Sequence, residues 1–80
     1  MLQGDLRIGQ IYSNGKKRES IRKIVDFVTC SMDLQVERCV RYLVIKGLKP
    51  DVGMQFTMTR RSFARWAKFE KYPPQPRPLV

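Results

Sequence analysis

Two stretches rich in β-branched and aromatic residues lie close together in the middle of the chain, and they restrict its fold more than any other feature. Residues 21–30 read IRKIVDFVTC and residues 36–46 read VERCVRYLVIK, with a predicted turn at residues 31–33. Such side chains favour extended backbone, so the two stretches predict neighbouring antiparallel strands. Simple alternation along the first stretch places Ile21, Lys23, Val25 and Phe27 on one face of the sheet and Arg22, Ile24, Asp26 and Val28 on the other.

Shorter segments on either side predict two further strands. Residues 8–12 (IGQIY) form the first of them, and the turn at residues 13–15 contains an Asn-Gly pair, which readily adopts the positive φ of tight hairpin turns. Residues 49–53 combine proline, aspartate and glycine in a loop, and residues 55–59 (QFTMT) form the last predicted strand.

The hydrophobic period changes from two to that of a helix after Ser62. We expect a short helix with Thr59 or Ser62 as its N-cap, and it must end before Pro73. Residues 1–72 then form one small basic domain. Residues 73–80 (PPQPRPLV) form an extended, proline-rich tail.

The predicted fold is mainly β, in the α+β class. It is a small, strongly bent antiparallel sheet or SH3-like barrel of about four strands with one short C-terminal helix, whose Phe63 and Trp66 fill the core. A three-stranded meander with one packed helix is the alternative. A chain of 80 residues buries only roughly 60% of its unfolded surface, so the core is thin.

Composition excludes several kinds of chemistry. The chain has no histidine, two cysteines and no carboxylate pair with metal or glycosidase spacing, so we expect no enzyme activity, metal site or cofactor. It also has no apolar run of membrane-spanning length and no visible secretory signal, so we expect a cytoplasmic protein with reduced thiols and no membrane partner. In a regular hairpin Cys30 and Cys39 would face each other, either as a bridge or as two small buried residues.

A net charge of +9 is concentrated in the second half of the chain. Spacing on the predicted helix puts Arg61, Arg65 and Lys68 on one face, with Arg60 beside them. Two neighbouring guanidiniums can bind a phosphate or a carboxylate through paired hydrogen bonds. The alternative is a solvated set of charges around a core-facing Phe and Trp. The predicted site residues in this cluster are Arg60, Arg61, Arg65 and Lys68.

A second basic cluster follows the Asn-Gly turn, with Arg22 and Lys23 close behind it. It consists of Lys16, Lys17 and Arg18, which either assist in binding or serve as a soluble turn that discourages edge pairing. Phe69 and Tyr72, after the predicted helix, are candidates for stacking on bases. Whether the two basic clusters share one face is left open by the sequence.

The chain resembles short uncharacterised proteins encoded by bacteriophages and prophages. The resemblance rests on residues 8–12 (IGQIY), 22–26 (RKIVD), 41–44 (RYLV) and 59–67, which ends in SFARWA. It implies a nucleic-acid binder or a stoichiometric inhibitor of host machinery, anti-CRISPR proteins included, and it carries over no functional residue.

Charge and resemblance together predict a non-enzymatic basic module that binds DNA or RNA through phosphates with little sequence readout. The alternative is a phage-type protein that inhibits an acidic host protein or nucleoprotein complex, such as a CRISPR effector, through an arginine-rich face. Either protein would be a monomer or a homodimer.

Overall fold

The computed structural model describes residues 1–72, so the predicted proline-rich tail lies outside the described residues. The described chain forms one five-stranded antiparallel sheet with the strand order β4-β3-β2-β1-β5. The elements are β1 (Ile11–Ser13), β2 (Ile21–Met32), β3 (Gln35–Lys46), β4 (Gln55–Thr59), α1 (Arg60–Trp66) and β5 (Phe69–Tyr72). The mainly β prediction is confirmed. The sheet is open rather than a closed barrel, because β4 and β5 lie at opposite edges.

The β2–β3 hairpin is the longest feature of the molecule, with 12 residues in each strand. The predicted turn at residues 31–33 is wrong by about one residue, since Met32 pairs with Gln35 and only Asp33 and Leu34 connect the strands. Both have positive φ, 49° and 66°, which is the requirement of a type I′ turn. β4 pairs only with residues 39–43 of β3, and β1 pairs only with residues 21–23 of β2. Residues 29–38 therefore extend beyond the neighbouring strands as a two-stranded ribbon.

Leu34 has no packing to lose at the ribbon tip, because its side chain is fully exposed. A non-glycine residue at positive φ destabilises the folded state by about 1–2 kcal/mol. Glycine removes this strain, but its greater conformational entropy in the unfolded state offsets part of the gain. We therefore expect Leu34→Gly to raise the free energy of unfolding by about 0.5–1 kcal/mol in urea denaturation. Gln35→Gly, at a position without positive φ, is the control and should lower it. A loss of stability in Leu34→Gly would contradict the turn geometry.

A β-bulge in β2 makes the predicted assignment of faces wrong. Ile24 pairs with Tyr42 and Asp26 with Arg41, so Val25 is an extra residue without a partner on β3. The bulge shifts the alternation by one position. Ile24 is consequently fully buried, and Phe27 three residues later packs against the same core.

The β1–β2 connection is a seven-residue loop rather than a tight turn, and β1 begins at Ile11 instead of residue 8. Asn14 closes the loop: its backbone N–H donates to Ser20 O at 3.2 Å, and its Oδ1 accepts from the N–H groups of Ser20 at 3.0 Å and Lys16 at 3.3 Å. Gly15 adopts φ 68°. The predicted basic tip, residues 16–18, is exposed.

The helix is confirmed, with Thr59 as its N-cap: the Thr59 hydroxyl accepts from Ser62 N at 3.1 Å. Its end is earlier than predicted, because Ala67 is extended and Lys68 N donates to Ser13 O at 2.8 Å. That hydrogen bond leads the chain into β5, a strand that periodicity did not predict. β4, at residues 55–59, has the predicted bounds.

The core lies between one face of the sheet and α1. Phe63 is fully buried at its centre, with ring centroids 5.6 Å from Tyr12, 5.7 Å from Tyr42 and 5.2 Å from Trp66. Phe63 and Trp66 thus take the predicted inward positions, with Trp66 half-buried. The Tyr12 hydroxyl also accepts from Arg7 N at 2.9 Å and donates to Asp5 O, which holds the N-terminal segment onto the sheet.

Candidate nucleic-acid interface

A cleft of about 480 Å³ lies at one end of the sheet, between the β1–β2 loop and the segment that follows β3. Its volume is in the range of small-ligand sites. Four cationic side chains line it, from three different parts of the chain: Lys17, Arg18, Arg22 and Lys46. The cleft therefore combines two residues of the predicted basic loop with two cations from the ends of β2 and β3.

Arg22 is held by aromatic rings rather than by a carboxylate. Its guanidinium lies 4.6 Å from the centroid of the Tyr42 ring and 4.2 Å from that of Trp66, and Nη1 donates to the Met58 sulfur at 3.6 Å. Burial lowers the pKa of Arg22, although a guanidinium remains charged at neutral pH. Stacking on two rings stabilises the cation and fixes its plane.

The positive charge of Arg22 has no close ion pair among the described residues, and Asp51 acts on it only at longer range. Among residues 1–72 no carboxylate lies within ion-pair distance of it, and its Nε is buried without a hydrogen-bond partner in the described part of the chain. A buried donor without a partner is costly. Because Nε itself is buried, an anion in the cleft would have to bind the terminal Nη groups of Arg22.

Glu19 is one of two acidic residues in the cleft, and its charge is already engaged. Its carboxylate accepts from the Ser13 hydroxyl at 2.5 Å and pairs with Lys71 Nζ at 3.1 Å and Lys46 Nζ at 3.9 Å. The Ser13 hydroxyl and then the Lys71 ammonium hold the pKa of Glu19 below its ordinary value. Glu19 thus connects the loop to Lys71 of β5. The second acidic residue that lines the cleft is Asp51. The cleft stays net positive.

The predicted helix cluster does not form one cationic face. The Arg60 guanidinium lies 4.1 Å from the centroid of the Phe27 ring, and Arg61 Nη2 lies 3.9 Å from Glu37 Oε1. Arg65 is exposed, and its carbonyl accepts from Lys68 Nζ at 3.3 Å. The expected face of Arg61, Arg65 and Lys68 is wrong in its geometry, because the helix ends at Trp66 and Lys68 follows it.

Lys68 lies instead beside the basic loop. A Cβ built on Gly15 would lie 3.3 Å from Lys68 Cβ and 3.3 Å from the Phe69 ring. The structure thus brings the start of the Lys16, Lys17 and Arg18 loop next to Lys68. Arg61 lines a separate shallow groove that shares no residue with the cleft.

Sequence reasoning missed Lys46 and treated Arg22 only as a neighbour of the loop. A signal for both was present in the hairpin itself. Once β2 and β3 are paired along their length, Ile21 lies opposite Lys46 and Arg22 opposite Val44, so both cations reach the same end of the sheet. The stacking candidates Phe69 and Tyr72 lie on β5, where Phe69 pairs with Ser13 and Tyr72 with Ile11.

The two cysteines are free and do not pair directly across the hairpin. Cys30 lies opposite Glu37 and Cys39 opposite Val28, because the turn is centred between Asp33 and Leu34, one residue before the midpoint of the two cysteines. Cys39 is buried, and burial together with a hydrogen bond to Cys30 raises its pKa to about 11. A thiol with that pKa is protonated at neutral pH and is a poor nucleophile.

Other kinds of site are not seen in the part of the chain that the structure describes. Residues 1–72 contain no group of three or more Cys, Asp or Glu side chains arranged to hold a metal ion. No helix within them has the length and apolar character needed to cross a membrane. Comparisons with protein-family models, curated proteins and solved structures found no match.

Proposed function

We propose that this protein is a small non-enzymatic module that binds nucleic acid through its phosphates, and that the cleft at the end of the sheet is the binding site. The observation that carries the proposal is Arg22, a guanidinium held by Tyr42 and Trp66. Among the described residues no carboxylate lies within ion-pair distance of it, and Asp51 acts on it only at longer range. Guanidiniums bind phosphate oxygens with good geometry, and Lys17 and Arg18 add exposed charge at the rim.

The arrangement favours backbone contacts over base reading. Cations that approach phosphates position a nucleic acid without distinguishing its sequence. The cleft offers lysine and arginine side chains, and the described residues present no helix long enough to enter a major groove as a recognition helix, since α1 has seven residues. Affinity should therefore depend strongly on salt and weakly on sequence.

The test is fluorescence anisotropy with labelled single-stranded and duplex oligonucleotides over a series of salt concentrations. With three or four phosphates contacted, we expect log–log slopes of about −2 to −3 for single strands and about −3 to −4 for duplex. The absence of binding to either probe at low salt would contradict the proposal.

Replacing Arg22 separates its charge from its packing. Arg22→Met keeps a long, flexible side chain between the two rings and removes the cation together with its hydrogen bond to the Met58 sulfur. We expect the affinity for nucleic acid to fall about 5- to 10-fold. The free energy of unfolding should change by less than about 2 kcal/mol, because no ion pair is lost and sulfur–aromatic contacts replace the two cation–π contacts. Anisotropy and urea denaturation measure the two quantities. A variant that binds like the wild type would make Arg22 a packing residue only.

A second candidate function, docking on a host protein or nucleoprotein complex, is favoured by the tip of the β2–β3 ribbon. Leu34 there is fully exposed and Val36 is 73% exposed. Residues 33–38 carry Asp33 and Glu37 against Arg38, so this tip suits an apolar protein pocket better than phosphates. Loss of the inhibition of a purified CRISPR effector in Leu34→Glu would support this candidate, and no inhibition by the wild type would count against it.

A further inference from the structure

Phe69 is an exposed aromatic residue on the edge strand β5, at the border of the basic loop. The residue is 44% exposed, although the phenyl ring of a phenylalanine is usually buried in the core of a small domain. One end of the ring contacts the loop backbone: a Cβ on Gly15 would lie 3.3 Å from Phe69 Cε1. The part of the residue that stays accessible, nearly half of it, is the surface that a ligand could reach.

Two separate connections place Phe69 beside the cleft. The first runs through Gly15, which is followed directly by Lys16, Lys17 and Arg18, the last two of which line the cleft. The second runs through Ser13, which lies opposite Phe69 on β1 and donates its hydroxyl hydrogen to the cleft residue Glu19. The basic loop therefore lies between the ring and the cleft and borders both: Gly15 lies at the ring, and residues 17–20 line the cleft.

The surroundings of the ring suit a base followed by phosphates. Lys68 precedes Phe69 and is exposed, with its ammonium donating to the Arg65 carbonyl, and Lys71 neutralises the cleft residue Glu19. Base–aromatic stacking next to a basic groove is the usual means by which proteins hold single strands without reading their sequence. A duplex keeps its bases stacked on one another, so it can offer phosphates to the cleft but no base to Phe69.

On the basis of the proposed function, we infer that the site takes single-stranded nucleic acid, with one base stacked on Phe69 and the neighbouring phosphates in the cleft. Gly15 is then part of the ligand surface as well as of the turn. Its missing Cβ and its φ of 68° let the loop lie directly against the ring, so that the basic residues of the loop begin beside the stacked base.

The test compares the wild type with Phe69→Leu and Phe69→Tyr on two probes, an oligothymidylate of about 12 nucleotides and a duplex of the same length. Phe69→Leu keeps an apolar contact with Gly15 but removes the stacking surface. We expect it to lower single-strand affinity about 5- to 30-fold and to leave duplex affinity within about 2-fold, whereas Phe69→Tyr retains single-strand binding.

An abasic oligonucleotide of the same length supplies the second measurement, since it carries the phosphates without the bases and needs no variant to fold. The wild type should bind it more weakly than oligothymidylate by about the factor that Phe69→Leu loses, and Phe69→Leu should bind it like the wild type.

Each remaining outcome is informative. Equal loss on single strands and duplex in Phe69→Leu would mean that the ring only supports the loop, and it would overturn the inference. So would equal binding of the wild type to abasic and thymidylate probes, although the proposed function would survive both results. Failure of the wild type to bind any probe at low salt would overturn the proposed function itself.

Discussion

Reversing the two exposed charges at the rim of the cleft is expected to lower the affinity for single-stranded and duplex nucleic acid alike by about 10- to 100-fold at moderate salt. The variant carries Lys17→Glu and Arg18→Glu, and we call it the rim variant. Both side chains are exposed and form no ion pair among the described residues, so the fold should not change. The log–log slope of affinity against salt, measured by anisotropy, should also become shallower, because two phosphate contacts are lost. We expect its magnitude to fall by about 1.4 for single strands and about 1.8 for duplex.

A matched control separates position from net charge. Arg7→Glu with Arg38→Glu lowers the charge of the protein by the same amount, and both residues are exposed and do not line the cleft. We expect this control to lose less than about 3-fold in affinity. Equal losses in the control and the rim variant would mean that the protein binds through its overall charge, without a defined site.

The largest expected loss of stability comes from Phe63→Ala. Phe63 is fully buried between α1 and the sheet and contacts the rings of Tyr12, Tyr42 and Trp66. Removing a buried phenyl ring costs about 3–5 kcal/mol, and a domain of this length has a total stability of about 4–12 kcal/mol. We expect the variant to be largely unfolded or to melt more than about 12 °C below the wild type, as measured by circular dichroism.

Phe69→Ala is the control for this prediction, because it removes the same ring from a half-exposed position. Its cost should stay below about 1 kcal/mol. If Phe63→Ala melted close to the wild type, the core would not be organised around this ring. The packing of α1 against Tyr12 and Tyr42 would then need revision.

The local patterns in the sequence were enough to predict most of the elements of this fold. β-branched residues indicated β2 and β3, the Asn-Gly pair indicated the loop after β1, and the change of period indicated α1 with Thr59 as its cap. The missed features depend on long-range pairing. β5 has no strong pattern of its own and becomes a strand because Lys68 N and the residues after it pair with β1.

The bulge at Val25 shows a second limit of pattern reading. The alternation of faces holds only when every residue of a strand has a partner on the next strand. One extra residue moves each side chain after it to the opposite face of the sheet. Ile24 and Phe27 therefore reach the same core, which the alternation did not predict. Nothing in residues 21–30 alone indicates where such a residue is placed.

The candidate site was predicted in part. Charge density placed the helix cluster first and gave Lys16, Lys17 and Arg18 only an assisting role. In the structure Arg60 stacks on Phe27 and, like Arg22, has a buried Nε without a partner among the described residues, but it does not line the cleft; Arg61 lies beside Glu37. Lys46 and Arg22 reach the cleft through strand pairing, and the stacking of Arg22 on Tyr42 and Trp66 joins three separate elements of the fold.

The most direct test of the proposed site is a titration of the ¹⁵N-labelled protein with oligothymidylate, followed by NMR. An arginine Nε–H gives its own signal, so the ligand can be located at Arg22 itself. We predict that the Arg22 Nε–H signal and the amides of residues 17–20 and 46–48 shift together and saturate, while those of residues 29–38 stay in place. Shifts confined to Arg60 and Arg61, or no shifts at low salt, would contradict a phosphate-binding site in the cleft.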